Sequence, residues 1–346
     1  MFATFLALVV ALVASLGLTV PVRRLALAVG LVDHPAPRKI HVAPMPLLGG
    51  LAMYCGVVVA LLVALRGRLE AQTLAILAGA TLLATIGLLD DHGSLHHQFK
   101  LIIGMPTAAV ILLASGIRAD VFTPALARFG GSLDIAVTIL WVVGITAAFS
   151  ILDHMDGLCA GVAAIGAAYF TLFASLGGQT VVRVLAAATL GAAAGFLRWN
   201  FSPARIFMGD AGAMFLGFLM ATLGLKLRPV GVPSSAAWMI PVLILIVPVF
   251  DTLLVSLSRA RRRLLPFASP GKDHTAHRLS NLGWGSRGAV LAMYVLGGAG
   301  GGLALLVSRW PSHAYGLAAT VAAAVLIGVV AMEAAPFETQ RRSGHL

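Results

Sequence analysis

Two adjacent aspartates, Asp90 and Asp91, end the apolar run of the segment "TIGLLDDHGSLHHQFKLIIG". A buried carboxylate is costly without a partner, so a pair in this position indicates that something there binds or uses it. Two neighbouring carboxylates either share a proton or face a metal ion. Lys100, ten residues after Asp90, can neutralise the pair or hold a phosphate. The alternative is an interfacial loop whose acids are simply solvated.

Further acids occur at two later helix ends. The segment "SILDHMDGLCAG" places Asp153 and Asp156 three residues apart, which is one face of a helix. The segment "RWNFSPARIFMGDAGAMFLGF" places Asn200, Arg205 and Asp210 directly before an apolar helix. Asp210 alone is equally explained as an N-cap. Oxygen ligands from separate helix ends are, however, what Mg²⁺ needs, because Mg²⁺ takes one or two carboxylates and leaves room for substrate phosphates.

A basic loop precedes these acids. It reads "VDHPAPRKIHVAPMPLLGG", and its prolines keep the backbone extended. Arg38, Lys39 and His41 are donors suited to phosphate. Taken alone, the loop is better explained by the excess of positive charge that cytoplasmic loops carry.

A histidine motif, "KDHTAHR", follows a cluster of arginines. His274 and His277 lie one turn apart, with Arg278 next to them. This spacing can ligate Zn²⁺, but the motif lacks an acidic companion of the HExxH kind. We therefore expect contacts to phosphate or a base rather than to zinc. Asp251 lies inside the end of an apolar segment, where a charge needs a partner.

The composition identifies the elements that position these residues. The chain of 346 residues is 59% hydrophobic and 11% charged, whereas a soluble domain has about 25% charged residues. We predict one polytopic membrane domain over residues 1–346, with no cleaved signal peptide. Eleven segments are long and apolar enough to span a bilayer. They are 2–21, 47–65, 71–89, 99–116, 133–152, 158–177, 179–197, 211–226, 236–257, 287–307 and 313–332.

Positive charge predicts the orientation. Sixteen of the 24 Lys and Arg residues fall on the odd-numbered loops and the C-terminus, so these parts are predicted to be cytoplasmic and the N-terminus to lie outside. Eight of ten aspartates and nine of ten histidines fall on the same side. The net charge of +11 is then explained by loops that meet anionic lipid, and no nucleic-acid partner is expected.

Read in order, these segments resemble one family, the polyprenyl-phosphate N-acetylhexosamine-1-phosphate transferases. The matching pieces are "DHPAPRKIHVAPMPLLGG", "GLLDDHGSLHHQFKL", "LDHMDGL", "GFLRWNFSPARIFMGDAG", "PVFDT" and "DHTAHR", which cover most of the chain. Each piece is weak or moderate evidence alone, but six in the same order are specific. The short "DHTAHRL" looks more like the N-acetylglucosamine-using branch than the pentapeptide branch.

The resemblance implies a fold and a reaction. The fold is an all-α bundle of 10–11 transmembrane helices in a bacterial cell membrane, compatible with a homodimer. The reaction transfers a HexNAc-1-phosphate, with GlcNAc-1-phosphate favoured, from a UDP-sugar to undecaprenyl or another polyprenyl phosphate. UMP is released, the cofactor is Mg²⁺ with Mn²⁺ as the alternative, and the step is the first membrane step of a cell-envelope glycan pathway.

The resemblance also implies roles for particular residues. Asp90 is our choice for the base that takes the proton of the attacking phosphate. The implied catalytic residues are Asp90, Asp91, Lys100, Asp153, Asp156 and His274; the implied substrate-binding residues are Arg38, Lys39, His41, Asn200, Arg205, His277 and Arg278; and the implied metal-binding residues are Asp210, Asp153 and Ser150.

This chain departs from the family pattern at two places. Relatives usually show Asn-x-x-Asn before the central acids, where this chain has Ala147 and Ser150, and many show Gly-Ser after the metal-binding aspartate, where this chain has Gly212 and Ala213. Reduced activity, another sugar nucleotide, Asp153 as the metal ligand and a non-catalytic member are open alternatives. A secondary transporter is a rival from another class, but no inverted repeat is visible and the charges lie at helix ends.

Overall fold

The structure is a computed structural model in which residues 1–34, 44–95, 97–123, 126, 129–264 and 271–335 are described. The described chain is a bundle of α-helices with one short antiparallel hairpin, which confirms the predicted all-α class. In chain order the elements are α1 (Phe2–Ala28), β1 (Val32–Asp33), β2 (Met45–Pro46), α2 (Gly49–Ala64), α3 (Ala71–Asp91), α4 (His97–Phe99), α5 (Met105–Ala114), α6 (Gly130–Leu152), α7 (Leu158–Leu176), α8 (Thr180–Asn200), α9 (Gly209–Lys226), α10 (Ser234–Ala237), α11 (Met239–Ile244), α12 (Ile246–Arg261), α13 (Thr275–Leu279), α14 (Gly285–Arg309) and α15 (Ala314–Ala334). Helix α4 continues into α5 through a π-helical turn at Lys100–Gly104, whereas α13 and α14 are separated by a kink at Gly283, whose φ of +99° is not helical.

The helices are those of a multi-pass membrane protein. Among the described residues, seven helical segments are long and apolar enough to cross a membrane, or eight if the bent pair of α10–α11 and α12 forms one span. All eleven predicted segments fall on helices, which confirms the polytopic membrane class. Helix α2 and the segment 100–114 are apolar but shorter, and α9 is enclosed by other helices.

The ninth predicted span, 236–257, is not one continuous helix. Helix α11 ends at Ile244, α12 begins at Ile246, and the two directions differ by 78°. Pro248 explains the position of the break, because a proline has no N–H to donate to the carbonyl four residues earlier and its ring clashes with that carbonyl. The break therefore falls at Ile244–Leu245, and Pro248 lies in the first turn of the new helix, where it is tolerated.

Helix α9 is the centre of the bundle. Almost every residue from Gly209 to Leu225 is buried, and α3 and α6 pack along it. Helix α3 approaches α9 closely at Gly87, where an added Cβ would overlap the backbone of Ala211. This close approach brings the C-terminal end of α3 next to the N-terminal end of α9. Two of the acidic segments predicted to act together therefore meet.

Hydrogen bonds join separate loops to one another at the ends of the helices. At one end, Asp156 accepts a hydrogen bond from the backbone N–H of Ala204, and Arg287 donates to the carbonyl of Ser202. At the other end, Gln179 accepts a hydrogen bond from the backbone N–H of Arg228. The predicted assignment of these ends to the two membrane faces stays a prediction.

Candidate active site

One lysine joins two of the predicted acids. Lys100 Nζ lies 2.8 Å from Asp90 Oδ2 and 2.5 Å from Asp210 Oδ2, although Asp210 is 110 residues away in the chain. The three side chains are 17–23% exposed, so a ligand at the end of the bundle can reach them. Lys100 lies in the π-helical turn before α5, Asp90 at the end of α3, and Asp210 in the first turn of α9. Three separate elements therefore form one charged cluster.

Asp91 has a different environment from its neighbour Asp90. Its Oδ1 accepts the backbone N–H of Asp210 at 2.8 Å, and its Oδ2 accepts that of Ala211 at 3.2 Å. These N–H groups have no partner within α9, and a negative charge at a helix N-terminus is favourable. Gly209 permits the contact, because its φ is +70° and a Cβ there would collide with the Asp91 carboxylate. Asp91 thus fixes the start of the helix that carries Asp210.

The turn between α6 and α7 adds oxygen donors to this cluster. Ser150 Oγ donates a hydrogen bond of 2.6 Å to Asp210 Oδ1. Asp153 follows the last residue of α6. Burial, and then the negative charges of Asp210 and Asp91, raise the pKa of Asp153 to about 8. Of the three residues predicted to hold a metal, Ser150 contacts Asp210, and Asp153 lies close enough to Asp210 for its charge to affect the Asp153 pKa.

These residues fit a hard divalent cation. The donors are carboxylate and hydroxyl oxygens, which Mg²⁺ and Mn²⁺ prefer over nitrogen or sulfur. Asp90 and Asp210 share the ammonium of Lys100, and Asp153 lies close enough to Asp210 for the charge of that carboxylate to raise its pKa. A bound cation would oppose this repulsion and favour the ionised form of Asp153.

Two predicted site residues brace the loop that leads into α9. Asp156 accepts the backbone N–H of Ala204 at 2.9 Å. Asn200 is 2% exposed; its Oδ1 accepts the N–H of Gly157 at 3.1 Å and its Nδ2 donates to the carbonyl of Ile206 at 3.0 Å. Both side chains connect the α6–α7 turn to the segment before Asp210. Their predicted contacts with substrate stay predictions.

The histidine motif includes the start of α13 and contacts Asp251 of α12. Asp251 Oδ2 is 2.8 Å from His274 Nδ1, and Asp251 Oδ1 accepts the N–H of Thr275 at 2.7 Å. Asp251 therefore has the partner that its place in an apolar segment requires. Asp273 pairs with Arg259 at 3.0 Å and with Arg262 at 2.5 Å. Burial opposes the charge of Asp273, but the hydrogen bonds and charges of these arginines outweigh it and lower its pKa to about 2.

Arg278 is a buried connector in this geometry. Its side chain has no exposed surface, and it donates to the carbonyls of Asp273 and Met332, to Ser258 Oγ and to Glu333 Oε1. It thereby fastens the end of α15 to the histidine motif. Its predicted contact with substrate is not supported by these distances.

The remaining predicted contacts lie elsewhere. Arg38, Lys39 and His41 fall outside the described residues. Arg205 is exposed beside the entry to α9, with its guanidinium carbon 5.8 Å from the ring centre of Trp199.

His154 is a residue of the site that the sequence analysis missed. Its ring centre lies 4.1 Å from that of His274 and 4.7 Å from that of His277. Burial and the neighbouring imidazoles lower its pKa well below the ordinary value, so the ring is neutral at pH 7. The sequence did contain one signal, a histidine between two candidate aspartates in "LDHMDG". Its partner His274 is 120 residues further along the chain, so only the fold brings the two rings close.

The fold and the site together define a class: a helical membrane protein with a carboxylate–lysine cluster and a histidine cluster at the same end of its bundle. The model for "Glycosyl transferase family 4" matches residues 73–228. A relative from Bacillus subtilis (strain 168), named "Probable undecaprenyl-phosphate N-acetylglucosaminyl 1-phosphate transferase", is 37% identical over 297 residues, 84% of this chain and 81% of the relative.

Two further relatives carry related names. A "Decaprenyl-phosphate N-acetylglucosaminephosphotransferase" of Mycolicibacterium smegmatis is 33% identical over 304 residues, covering 79% of this chain and 74% of the relative. An "Undecaprenyl-phosphate alpha-N-acetylglucosaminyl 1-phosphate transferase" of Escherichia coli O157:H7 is 27% identical over 283 residues, covering 77% of this chain and 74% of the relative. The chain belongs to glycosyl transferase family 4, as its six motifs predict, and to the branch of these polyprenyl-phosphate enzymes.

Proposed function

We propose that this protein transfers GlcNAc-1-phosphate from UDP-GlcNAc to a polyprenyl phosphate and releases UMP. The observation that carries the proposal is the convergence of Asp90, Lys100, Ser150 and Asp210 at one end of the bundle. The names of the relatives support a polyprenyl phosphate acceptor and an N-acetylglucosamine phosphate donor. UDP as the nucleotide is part of the proposal.

The reaction exchanges one phosphoanhydride bond for another. An oxygen of the lipid phosphate attacks the sugar-bearing phosphorus of the donor, the bond from that phosphorus to the bridging oxygen breaks, and UMP departs with this oxygen. Such a transfer asks the protein mainly for positioning and for neutralisation of charge. Lys100 supplies a positive charge between Asp90 and Asp210. In the proposed mechanism, Asp90 accepts the proton of a protonated acceptor phosphate.

The proposed cofactor is Mg²⁺ or Mn²⁺, held by Asp210 with Ser150 and Asp153. When bound, it would neutralise the phosphates of the donor. Lys100 already contacts Asp210, so the lysine keeps the Asp210 carboxylate ionised and oriented toward the α6–α7 turn. Asp91 holds the first turn of α9 in place beneath it.

The membrane setting fits a lipid acceptor. The charged cluster lies at the ends of apolar helices, where a phosphate on a polyprenyl tail would be positioned. We propose the bacterial cell membrane as the location, the cytoplasm as the side of the site, and the first membrane step of an envelope glycan as the role. A homodimer stays a prediction.

The direct test is release of UMP by purified protein in detergent. Undecaprenyl phosphate, Mg²⁺ and a panel of UDP-sugars are supplied together and then omitted one at a time. We expect UMP only in the complete mixture, and with UDP-GlcNAc the best donor. Asp120→Asn is a matched control, because Asp120 is an exposed aspartate outside the site. No UMP from folded protein with any donor would contradict the proposal and favour a non-catalytic family member.

A further inference from the structure

The histidine cluster contains the donor set of a second, chemically different metal site. One ligand atom from each of His154, Asp251 and His274 lies within 4.8 Å of the others. These residues come from the α6–α7 turn, from α12 and from the segment before α13. His277 lies beside them, with its ring centre 4.7 Å from that of His154 and 6.2 Å from that of His274.

The condition of His154 is the second observation. Both of its ring nitrogens are buried, and neither has a hydrogen-bond partner among the residues that the structure describes. A buried polar atom without a partner is costly, and most such atoms in folded proteins are satisfied. A neutral imidazole always carries one lone pair, and that lone pair is what a metal ion would use.

Asp251 already makes the hydrogen bonds that would orient a ligating histidine. Asp251 accepts from His274 Nδ1 at 2.8 Å and from the N–H of Thr275 at 2.7 Å. A carboxylate on one ring nitrogen fixes the tautomer and orientation of a ligating histidine, which leaves the other nitrogen available. Asp251 is thus placed either to ligate directly or to orient His274.

We propose that His154, His274 and Asp251, with His277 adjacent, bind a divalent transition-metal ion of the zinc class. Imidazole nitrogens favour zinc over magnesium, and zinc accepts three protein ligands with a fourth position open. This site is separate from the oxygen cluster of Ser150, Asp153 and Asp210, which suits Mg²⁺. The ion connects the α6–α7 turn to the histidine motif. It therefore sets the distance between the histidine motif and the oxygen cluster to which the turn contributes Ser150 and Asp153.

The histidine motif has no acidic companion of the HExxH kind in its sequence, which favoured contacts to phosphate or a base over zinc. In the structure, an aspartate and a third histidine lie beside His274: Asp251, which is 23 residues before it, and His154, which is 120 residues before it. The proposal does not depend on the proposed transferase function, because metal binding needs no substrate.

The test is metal binding by tag-free protein in detergent. The protein is stripped with a chelator, loaded with Zn²⁺, desalted and analysed for metal, and its affinity is measured by competition with a chromophoric chelator. Cobalt substitution gives an independent spectroscopic signature of nitrogen ligation. We expect one zinc per chain in the wild type, and a loss of affinity of at least about a hundredfold in His154→Gln and Asp251→Asn.

Two control variants locate the ion. His313→Gln removes an exposed histidine that is remote from the cluster, and Asp210→Asn removes the oxygen ligand of the other cluster. Both should bind zinc as the wild type does. Zinc should raise the melting temperature of the wild type but not that of His154→Gln. If His154→Gln does not fold, His154→Ala is used in its place. No stoichiometric zinc in the wild type, or wild-type affinity in the folded His154 variant, would overturn the proposal.

Discussion

Two clusters at the same end of the bundle differ in how their polar groups are satisfied. In the carboxylate–lysine cluster, Asp91 and Asp210 use their oxygens for protein hydrogen bonds, and Lys100 bridges the acids. In the histidine cluster, both ring nitrogens of His154 are buried, and neither is paired with any residue in the part of the chain that the structure describes. The oxygens of the first cluster therefore already have partners in the protein, whereas the ring nitrogens of His154 in the second have none within the described ranges. The two clusters are close together, but their charges and donor atoms differ, so they suit different ligands.

The largest effect is expected from the oxygen cluster. Asp210→Asn removes the carboxylate that Lys100 and Ser150 both contact, and with it the proposed cation ligand. We expect turnover to fall by about a thousandfold, the upper range for loss of one electrostatic group in an active site. Initial rates of UMP release at saturating Mg²⁺ measure this. Turnover within tenfold of the wild type would show that the Asp210 carboxylate is not required for the reaction.

The second effect concerns the frame around the histidine cluster. Asp273→Asn removes the negative charge that pairs with Arg259, a side chain that is almost fully buried. Breaking a buried ion pair from one side costs about 3–5 kcal/mol, so we expect a marked fall in the melting temperature in detergent. Asp120→Asn, an exposed acid, is the control. Equal melting temperatures for the two variants would show that this pair does not hold the motif.

A smaller effect should distinguish Asp91 from Asp90. Asp91→Asn keeps one oxygen acceptor but presents an amide N–H₂ to a backbone N–H at the start of α9. We expect a loss of about 1 kcal/mol in stability. Asp90→Asn is the matched variant. It should lower turnover, because it removes the charge that Lys100 contacts, and it should change the melting temperature little, because Asp91 and not Asp90 bonds the start of α9. If the two variants have the same melting temperature, the proposed division of roles is wrong.

The smallest effect is expected at the departure from the family pattern. Ser150→Asn restores the amide found in relatives at the position that contacts Asp210. We expect the Mg²⁺ concentration for half-maximal activity to fall by no more than about tenfold, and to rise in Ser150→Ala. A titration of activity against Mg²⁺ in both variants measures this. An unchanged requirement in both would show that Ser150 does not contact the cation.

The sequence predicted the oxygen cluster better than the histidine cluster, for a physical reason. Asp90, Lys100 and Asp210 lie at helix ends and adjoin apolar segments, so their positions are visible as charge at the border of hydropathy. His154 lies in a five-residue turn whose neighbours are set by the packing of α6 against α12. No local pattern records that contact. The break at Leu245 was missed for a similar reason, because an apolar run stays apolar when Pro248 bends it.

Roles assigned by motif also differ from roles visible in the geometry. Arg278 and Asn200 belong to segments that match the family, and both were predicted to contact substrate. The structure shows them buried and bonded to the protein, where they hold α15 and the loop before α9. A motif records that a residue type recurs with a function, but it does not separate a residue that contacts the ligand from one that positions its neighbours.

The most direct test of the central claim follows the phosphorus atoms. UDP-GlcNAc labelled at the sugar-bearing phosphorus is incubated with undecaprenyl phosphate, Mg²⁺ and the purified protein, and the lipid and aqueous phases are separated. Transfer of GlcNAc-1-phosphate predicts that the label enters the lipid while unlabelled UMP remains in the aqueous phase. Label that stays in the aqueous phase as UDP, with sugar on the lipid, would contradict the account because it would show transfer of the sugar alone.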